Sequence, residues 1–132
     1  MKGFITNIEQ ATIENANFRR VLYTAKHSQL VVMSIRPGEE IGEEVHTLDQ
    51  FIRIEKGEAL AILDGVSHPM HDDDAVVIPA GTRHNVINTS KTEALKLYTI
   101  YSPPEHIDGR VHPSKADALK DTADEFNGET TE

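Results

Sequence analysis

Short runs of apolar, often β-branched residues recur along most of the chain, and each run ends at a polar turn or at a turn that contains glycine or proline. The runs that we predict to be strands are residues 18–24, 30–36, 52–54, 59–63, 75–78, 85–87 and 94–101. Asp64-Gly65 between two of them is a strong two-residue hairpin signal. Because no helical period separates the runs, the pattern predicts an antiparallel sandwich or barrel and not an alternating α/β sheet.

The two ends of the chain have different patterns. Apolar residues of segment 115–126 fall on one stripe at helical spacing, and Ser114 is a candidate N-cap with Asp117 in the first turn. We therefore predict one short helix packed on the outside of the barrel, followed by a frayed end at residues 127–132. Residues 1–17 are weakly patterned, and we expect an arm or an edge strand there.

The length of 132 residues predicts a single domain that can bury its own core without disulfide or metal staples. We divide it into an N-terminal arm at 1–17, a barrel at 18–104 and a C-terminal region at 105–132. Hydrophobic residues make up 38% and charged residues 27% of the chain, which is ordinary for a soluble globular protein.

Charge and cysteine content exclude several classes of function. The formal net charge of −9 opposes binding to nucleic acid or to an anionic membrane. The chain contains no cysteine, which excludes disulfides, thiolate-bound zinc, iron–sulfur clusters and thiol catalysis. The first residues lack a signal-peptide pattern and no apolar run approaches a membrane span, so we expect a soluble, cytoplasmic protein.

Two segments carry side chains that could bind one metal ion. Glu44 and His46 are two residues apart, so on a strand they share a face with about 6.5 Å between their α-carbons. Gln50 begins the returning strand, and His84 follows a turn at residues 79–82 on a separate strand. If these faces line a barrel interior, three strand ends converge on one point and leave an open coordination position.

The residue types fit a divalent transition metal. Glu44, His46 and His84 can form a triad of two histidines and one carboxylate, a pattern suited to iron(II) with open positions. Gln50 would add a neutral amide oxygen or hydrogen-bond a bound water. Without thiolates the site favours iron, manganese, nickel, cobalt or zinc, and ligand softness does not choose among them.

Other interpretations of the same residues stay open. Glu44 could form an ion pair with Arg53 or Arg83 in a barrel without a metal, and Arg53 has the parity of an outer or dimer-interface residue. Segment 98–112 could fold across the barrel mouth as a lid or could be an ordinary structured tail. Five further histidines lie in turns or polar loops and are expected at the surface: His27, His68, His71, His106 and His112.

The spacing of these residues resembles the two motifs of the cupin family over residues 36–88. The positions of the first motif, G-x5-H-x-H-x3-E-x6-G, are taken by Gly38, Glu44, His46, Gln50 and Gly57. The positions of the second, G-x5-P-x-G-x2-H-x3-N, are taken by Asp73, Pro79, Gly81, His84 and Asn88. Glu44 stands where the family has its first histidine and Gln50 where it has glutamate, so one carboxylate is retained in a new position.

The resemblance implies an all-β, cupin-type double-stranded β-helix, a jelly-roll barrel, with a short C-terminal helix. It also implies a homodimer, because small cupins usually pair through their sheets. The implied function is a mononuclear metal enzyme, dioxygenase-like or sugar-isomerase-like, acting on a small polar organic molecule. The alternative is a non-catalytic module that binds a small ligand, as a sensor or store, with or without metal. Other catalytic patterns, such as a G-x-S-x-G elbow or a Walker motif, are missing from the sequence.

Overall fold

The structure, a computed structural model, describes residues 2–132 and consists mainly of antiparallel strands over that range. In chain order the elements are α1 (Ile8–Glu14), β1 (Arg19–Thr24), β2 (Gln29–Ile35), β3 (Asp49–Lys56), β4 (Glu58–Leu63), β5 (Val66–His71), β6 (Ala75–Ile78), β7 (His84–Asn88), β8 (Leu95–Ser102), β9 (Val111–His112) and α2 (Lys115–Lys120). The prediction of many short strands joined by turns is confirmed.

The strands form two sheets. One has six strands in the order β6-β3-β8-β2-β1-β9, and the other has three in the order β5-β4-β7. Along β8 every second residue is buried, as expected for a strand with one face on a core. Neighbours in the larger sheet come from distant parts of the chain, so residues that are far apart in sequence share one interior.

The core lies between the two sheets. The buried apolar side chains that fill it include Val31, Met33, Ile35, Ile52, Ile54, Leu95 and Leu97 from the larger sheet and Ala59, Ala61, Met70 and Val86 from the smaller one. Full burial of one such aliphatic side chain stabilises the fold by about 1.5–3 kcal/mol. This packing makes the barrel a rigid frame for the polar side chains at its end.

Gly57 joins β3 to β4 in a backbone conformation that favours glycine. Its φ is +119°, and a Cβ at this position would lie 3.2 Å from the carbonyl oxygen of Ala94 and 3.2 Å from the α-carbon of Leu95. Any other residue would be strained there by its own backbone and crowded by β8. The last glycine of the first motif therefore has a structural role.

Residues 8–14 form a helix and not the edge strand that was one of the two expectations for residues 1–17, of which Met1 lies outside the described residues. The side chain of Asn7 caps α1 by accepting a hydrogen bond from the backbone N–H of Gln10. The segment after the helix is bound to the barrel, since Lys96 Nζ donates to the carbonyl oxygen of Asn15 at 2.6 Å. Helix formation here depends on a cap and on contact with the sheet, and the weak apolar pattern reveals neither.

The C-terminal region also departs from expectation. Helix α2 has the predicted capping box of Ser114 and Asp117 but ends at Lys120 instead of residue 126. The last residues are docked and not frayed, because the backbone N–H of Thr131 donates to the carbonyl oxygen of Thr24 at 3.0 Å. Within residues 2–132 no helix is both long and apolar enough to cross a membrane.

Candidate functional site

The structure brings Glu44, His46 and His84 together at one end of the barrel. Glu44 and His84 exchange two backbone hydrogen bonds of 2.8 and 2.9 Å, which joins the two motif segments directly. Glu44 Oε2 lies 2.9 Å from His46 Nε2 and 3.9 Å from His84 Nε2. One ligand atom from each residue lies within 4.8 Å of the other two, so all three can reach a shared ion.

Three buried polar atoms at this site form no aligned hydrogen bond with any described residue. These atoms are His46 Nε2, His84 Nε2 and Gln50 Oε1. Because His84 Nδ1 lies 2.9 Å from the carbonyl oxygen of Thr82 and donates to it, His84 Nε2 carries the lone pair. An unpaired buried polar atom is costly, and a cation among these atoms would remove that cost.

Gln50 is held by one end of its amide. Its Nε2 donates to Thr99 Oγ1 at 3.0 Å, which leaves Oε1 as the unpartnered end. Gln50 is paired across the sheet with Tyr101, and the Tyr101 ring meets the His46 ring edge to face at 6.1 Å. No hydrogen bond joins Gln50 to the other three residues in the part of the chain described, so its place in a ligand set stays a prediction.

The sequence did not identify Glu105 as a site residue. Its Oε2 lies 3.4 Å from His46 Nδ1, on the side of the ring opposite Glu44. Glu105 follows β8 in segment 98–112, so part of that segment contacts the site, as the lid interpretation requires. The only signal in the sequence was the position of Glu105 between a Pro-Pro break and His106.

Charge interactions set the ionisation of these groups. Burial opposes the charged form of Glu44, but the neighbouring His46 and, to a smaller degree, the charge of Arg19 leave its pKa lowered. Burial also opposes the charged form of His46, yet Glu44 and Glu105 together raise its pKa. Burial raises the pKa of Glu105, which His46 only partly offsets. Glu44 is therefore a carboxylate near neutral pH, the form that binds metal.

The contact between His46 and Glu44 is an ion pair without hydrogen-bond alignment. The two atoms are 2.9 Å apart, but His46 Nε2 has no hydrogen bond to any described residue. A proton between the two atoms is therefore poorly placed. An ion that binds both atoms would replace it with better geometry.

The alternative ion pairs predicted for Glu44 are wrong. Arg53 lies 3.3 Å from Glu55 and 3.1 Å from Asp73, on the outer face of β3 as its parity predicted. Arg83 lies 3.7 Å from Glu43 on the surface. A surface groove of about 900 Å³ reaches His84 but is not lined by Glu44 or His46.

Two histidines that we expected at the surface are buried, and His27, His68 and His71 are exposed as predicted. His106 Nδ1 lies 2.7 Å from Asp124 Oδ2, and His112 Nε2 lies 2.8 Å from Asp121 Oδ2. Both acids lie beyond the end of α2 and fold back onto the barrel. This pairing explains why the helix ends early and why the histidines are covered.

His112, Asp121 and Asp124 also have the spacing of a metal site, but their atoms are already paired. Arg110 Nε lies 2.9 Å from Asp121 Oδ2, and Arg19 Nη1 lies 3.2 Å from His112 Nδ1. Because Arg19 donates to Nδ1, His112 donates from Nε2 to Asp121. The cluster is an ion-pair network that fastens the C-terminal region to β1 and β9.

Known proteins with similar sequences and folds include a cupin and an uncharacterized protein. The family model for the cupin domain matches residues 31–101, more than half of the chain. The uncharacterized protein YrkC of Bacillus subtilis (strain 168) is 48% identical over 125 residues, which cover 89% of this chain and 67% of YrkC.

Solved structures agree with these sequence matches. BH2720 from Bacillus halodurans superposes with a TM-score of 0.87 at 46% identity, over 89% of this chain and 94% of that protein. An RmlC-like cupin from Shewanella frigidimarina superposes with a TM-score of 0.64 over 79% of this chain and 93% of that one, and its 19% identity supports the fold alone. The predicted double-stranded β-helix is thereby confirmed, and this chain is a small single-domain member of the cupin domain family.

Proposed function

We propose that the protein binds one divalent transition-metal ion through Glu44, His46 and His84 and acts as a metal-dependent enzyme on a small polar organic molecule. Gln50 is proposed to contribute its amide oxygen. The observation that carries this proposal is the set of buried polar atoms of His46, His84 and Gln50 that lack an aligned hydrogen bond beside the Glu44 carboxylate.

The donor set determines which ion fits. Two imidazoles and one carboxylate, with no thiolate in the chain, suit iron(II) first and also manganese, nickel, cobalt or zinc. Glu44 brings one negative charge, so a bound divalent ion would keep a net charge of about +1. When bound, such an ion supplies a Lewis-acid or redox centre with positions open to a small molecule.

The residues around the donors are arranged to keep them in place. The carbonyl oxygen of Thr82 fixes the tautomer of His84, and Thr99 holds the amide of Gln50. Glu105 contacts the far side of the His46 ring. Such contacts orient metal ligands and commonly affect affinity strongly.

Dioxygenase-like oxidation and sugar-isomerase-like enolisation would both use a centre of this type. The triad favours the first, because two histidines and one carboxylate are the pattern of iron(II) enzymes that use oxygen. The alternative function is a barrel that binds a small ligand and catalyses no reaction. The metal analysis described below distinguishes it from the proposed enzyme.

A homodimer is part of the proposal. An apolar row crosses the outer face of the larger sheet, in which Val77 pairs with Phe51, Phe51 with Ile100, and Ile100 with Leu30. Val77 is 64% exposed. A second copy that covers this row would remove apolar surface from water. Sedimentation of the wild type and of Val77→Lys tests this, with dimer expected for the first and monomer for the second.

Metal content tests the proposed function. Protein purified without an affinity tag is analysed for transition metals, both as isolated and after loading with each of the five candidate ions. We expect close to one ion per chain in the wild type and in Glu43→Ala, whose carboxylate lies at the surface beside Arg83. We expect loss of the ion in Glu44→Ala and His84→Ala. A folded wild type that takes up none of the ions would overturn the proposal and favour the binding module.

A further inference from the structure

Arg19 is a buried cation that faces the interior of the barrel. It is the first residue of β1, and it shares a strand face with Val21, which belongs to the core. Across the sheet it is paired with Met33 and His112, both buried. Only 8% of Arg19 is exposed. The side chain therefore lies inside the protein and not on its surface.

Its guanidinium has no carboxylate partner within residues 2–132. No Asp or Glu oxygen in that range lies within 4.0 Å of it. Its one side-chain hydrogen bond joins Nη1 to the neutral acceptor His112 Nδ1 at 3.2 Å. Nε is buried without a partner. The edge formed by Nε and Nη2, which faces away from His112, is the one left open.

The acids of the C-terminal region are held by other groups, and neither forms an ion pair with Arg19. Asp121 is bound by Arg110 at 2.9 Å and by His112 at 2.8 Å. Asp124 is bound by His106 at 2.7 Å and by the backbone N–H of Ile107 at 2.8 Å.

The acids of the candidate metal site contact His46 and not Arg19. Glu44 lies 2.9 Å and Glu105 lies 3.4 Å from the His46 ring nitrogens. Burying a cation without a paired anion is costly, and an anion that binds it would offset that cost.

We propose that Arg19 binds the carboxylate of a small organic anion inside the barrel. The planar guanidinium edge matches a carboxylate through two parallel N–H···O bonds. This proposal narrows the substrate of the proposed function to organic anions that carry a carboxylate. It rests on the proposed function in one respect, namely that the other end of the same anion meets the metal. The contact with Arg19 itself requires no metal.

Calorimetric titration of metal-free protein with malonate tests the contact. Malonamide, which has the same shape without charge, is the ligand control. The matched protein control is Arg20→Gln, because Arg20 is the next residue on β1 and is exposed on the opposite face. We expect malonate to bind the wild type and Arg20→Gln with equal affinity. We expect malonamide to bind neither protein. Binding to Arg19→Gln should be roughly 10- to 100-fold weaker.

If Arg19→Gln does not fold, the NMR resonance of the Arg19 Nε–H in the wild type tests the contact instead. A bound carboxylate should shift this resonance. Absence of malonate binding to the wild type, equal affinity in folded Arg19→Gln, or an unmoved Nε–H resonance at saturation would each overturn the proposal. Titration of metal-loaded protein separates the two proposals. Binding through Arg19 in a protein that takes up no metal would refute the proposed function alone, and metal uptake without anion binding would refute this inference alone.

Discussion

The Nε2 atom of His46 lies 2.9 Å from Oε2 of Glu44 without forming an aligned hydrogen bond. Both residues come from the irregular segment between β2 and β3, so the close approach depends on the bridge that ties Glu44 to His84 on β7. Two side chains held this close with poor proton geometry are suited to share a metal ion. The site therefore follows from sheet pairing between distant segments and not from one local motif.

Replacing Gln50 by glutamate tests whether its amide is a ligand. Gln50→Glu keeps the shape and adds a negative charge beside the ion. The amide of Gln50 donates to Thr99 Oγ1, and a glutamate can instead accept a hydrogen bond from the Thr99 hydroxyl. We expect metal affinity to be preserved or increased, as measured by competition with a chelator. A collapse of metal occupancy in a folded Gln50→Glu protein would show that Gln50 does not contact the ion.

Replacing Glu105 tests the support of His46. Glu105→Ala removes the group that contacts His46 Nδ1, so the imidazole is less firmly oriented. We expect metal affinity to fall by roughly 10- to 100-fold, a typical effect of losing such a partner. Glu105→Gln, which can still accept from Nδ1–H, should recover part of the loss. Unchanged affinity in Glu105→Ala would argue that the contact has no role in metal binding.

The ion-pair network of the C-terminal region predicts how stability depends on pH. Burial raises the pKa of Asp124, but its hydrogen bonds with His106 and Ile107 outweigh this and leave the pKa lowered. A lowered folded-state pKa means that the carboxylate stabilises the fold above its unfolded pKa of about 3.9, and that this contribution is lost as the pH falls toward the folded-state pKa.

Asp124→Asn should therefore be less stable than the wild type at neutral pH, with the difference shrinking in acid. Urea unfolding at several pH values measures it. Glu129→Gln, a change at an exposed carboxylate of the same region, is the control and should track the wild type at every pH. A constant difference between Asp124→Asn and the wild type down to the acid limit would contradict the assignment.

The two-sheet core predicts contrasting effects of two leucine substitutions. Leu97 is fully buried between the sheets, and Leu119 on α2 is 73% exposed. Leu97→Ala should lower the free energy of unfolding by about 2–5 kcal/mol, and Leu119→Ala should change it by about 0.5 kcal/mol or less. Denaturant unfolding of both variants measures the difference. An equal change in the free energy of unfolding in the two variants would contradict a core between the two sheets.

The strands and the two motif segments could be predicted from the sequence, because period-two apolar patterns and turn residues act locally. Glu44, His46 and His84 were predicted to lie close together and do so, although Glu44 and His46 lie in an irregular segment and not on the strand that their spacing suggested. Arg19 and Glu105 were missed because their contacts join segments far apart in the chain, and parity alone does not reveal what a side chain meets across a barrel.

Contacts between distant segments also explain why the predictions for the two ends of the chain differ from the structure. His106 and His112 lie in polar segments, and only the return of Asp121 and Asp124 onto the barrel buries them. Helix α1 has seven residues and depends on a cap and on contact with the sheet. Such short elements are stabilised by tertiary contacts and have little signal of their own.

X-ray absorption spectroscopy at the metal edge of the loaded wild-type protein tests the shared ion most directly. We expect imidazole scattering from two histidines in the wild type. One of the two should be lost in a His84→Ala protein that still retains some metal at high metal concentration. A spectrum without imidazole scattering, or an identical spectrum in His84→Ala, would contradict it.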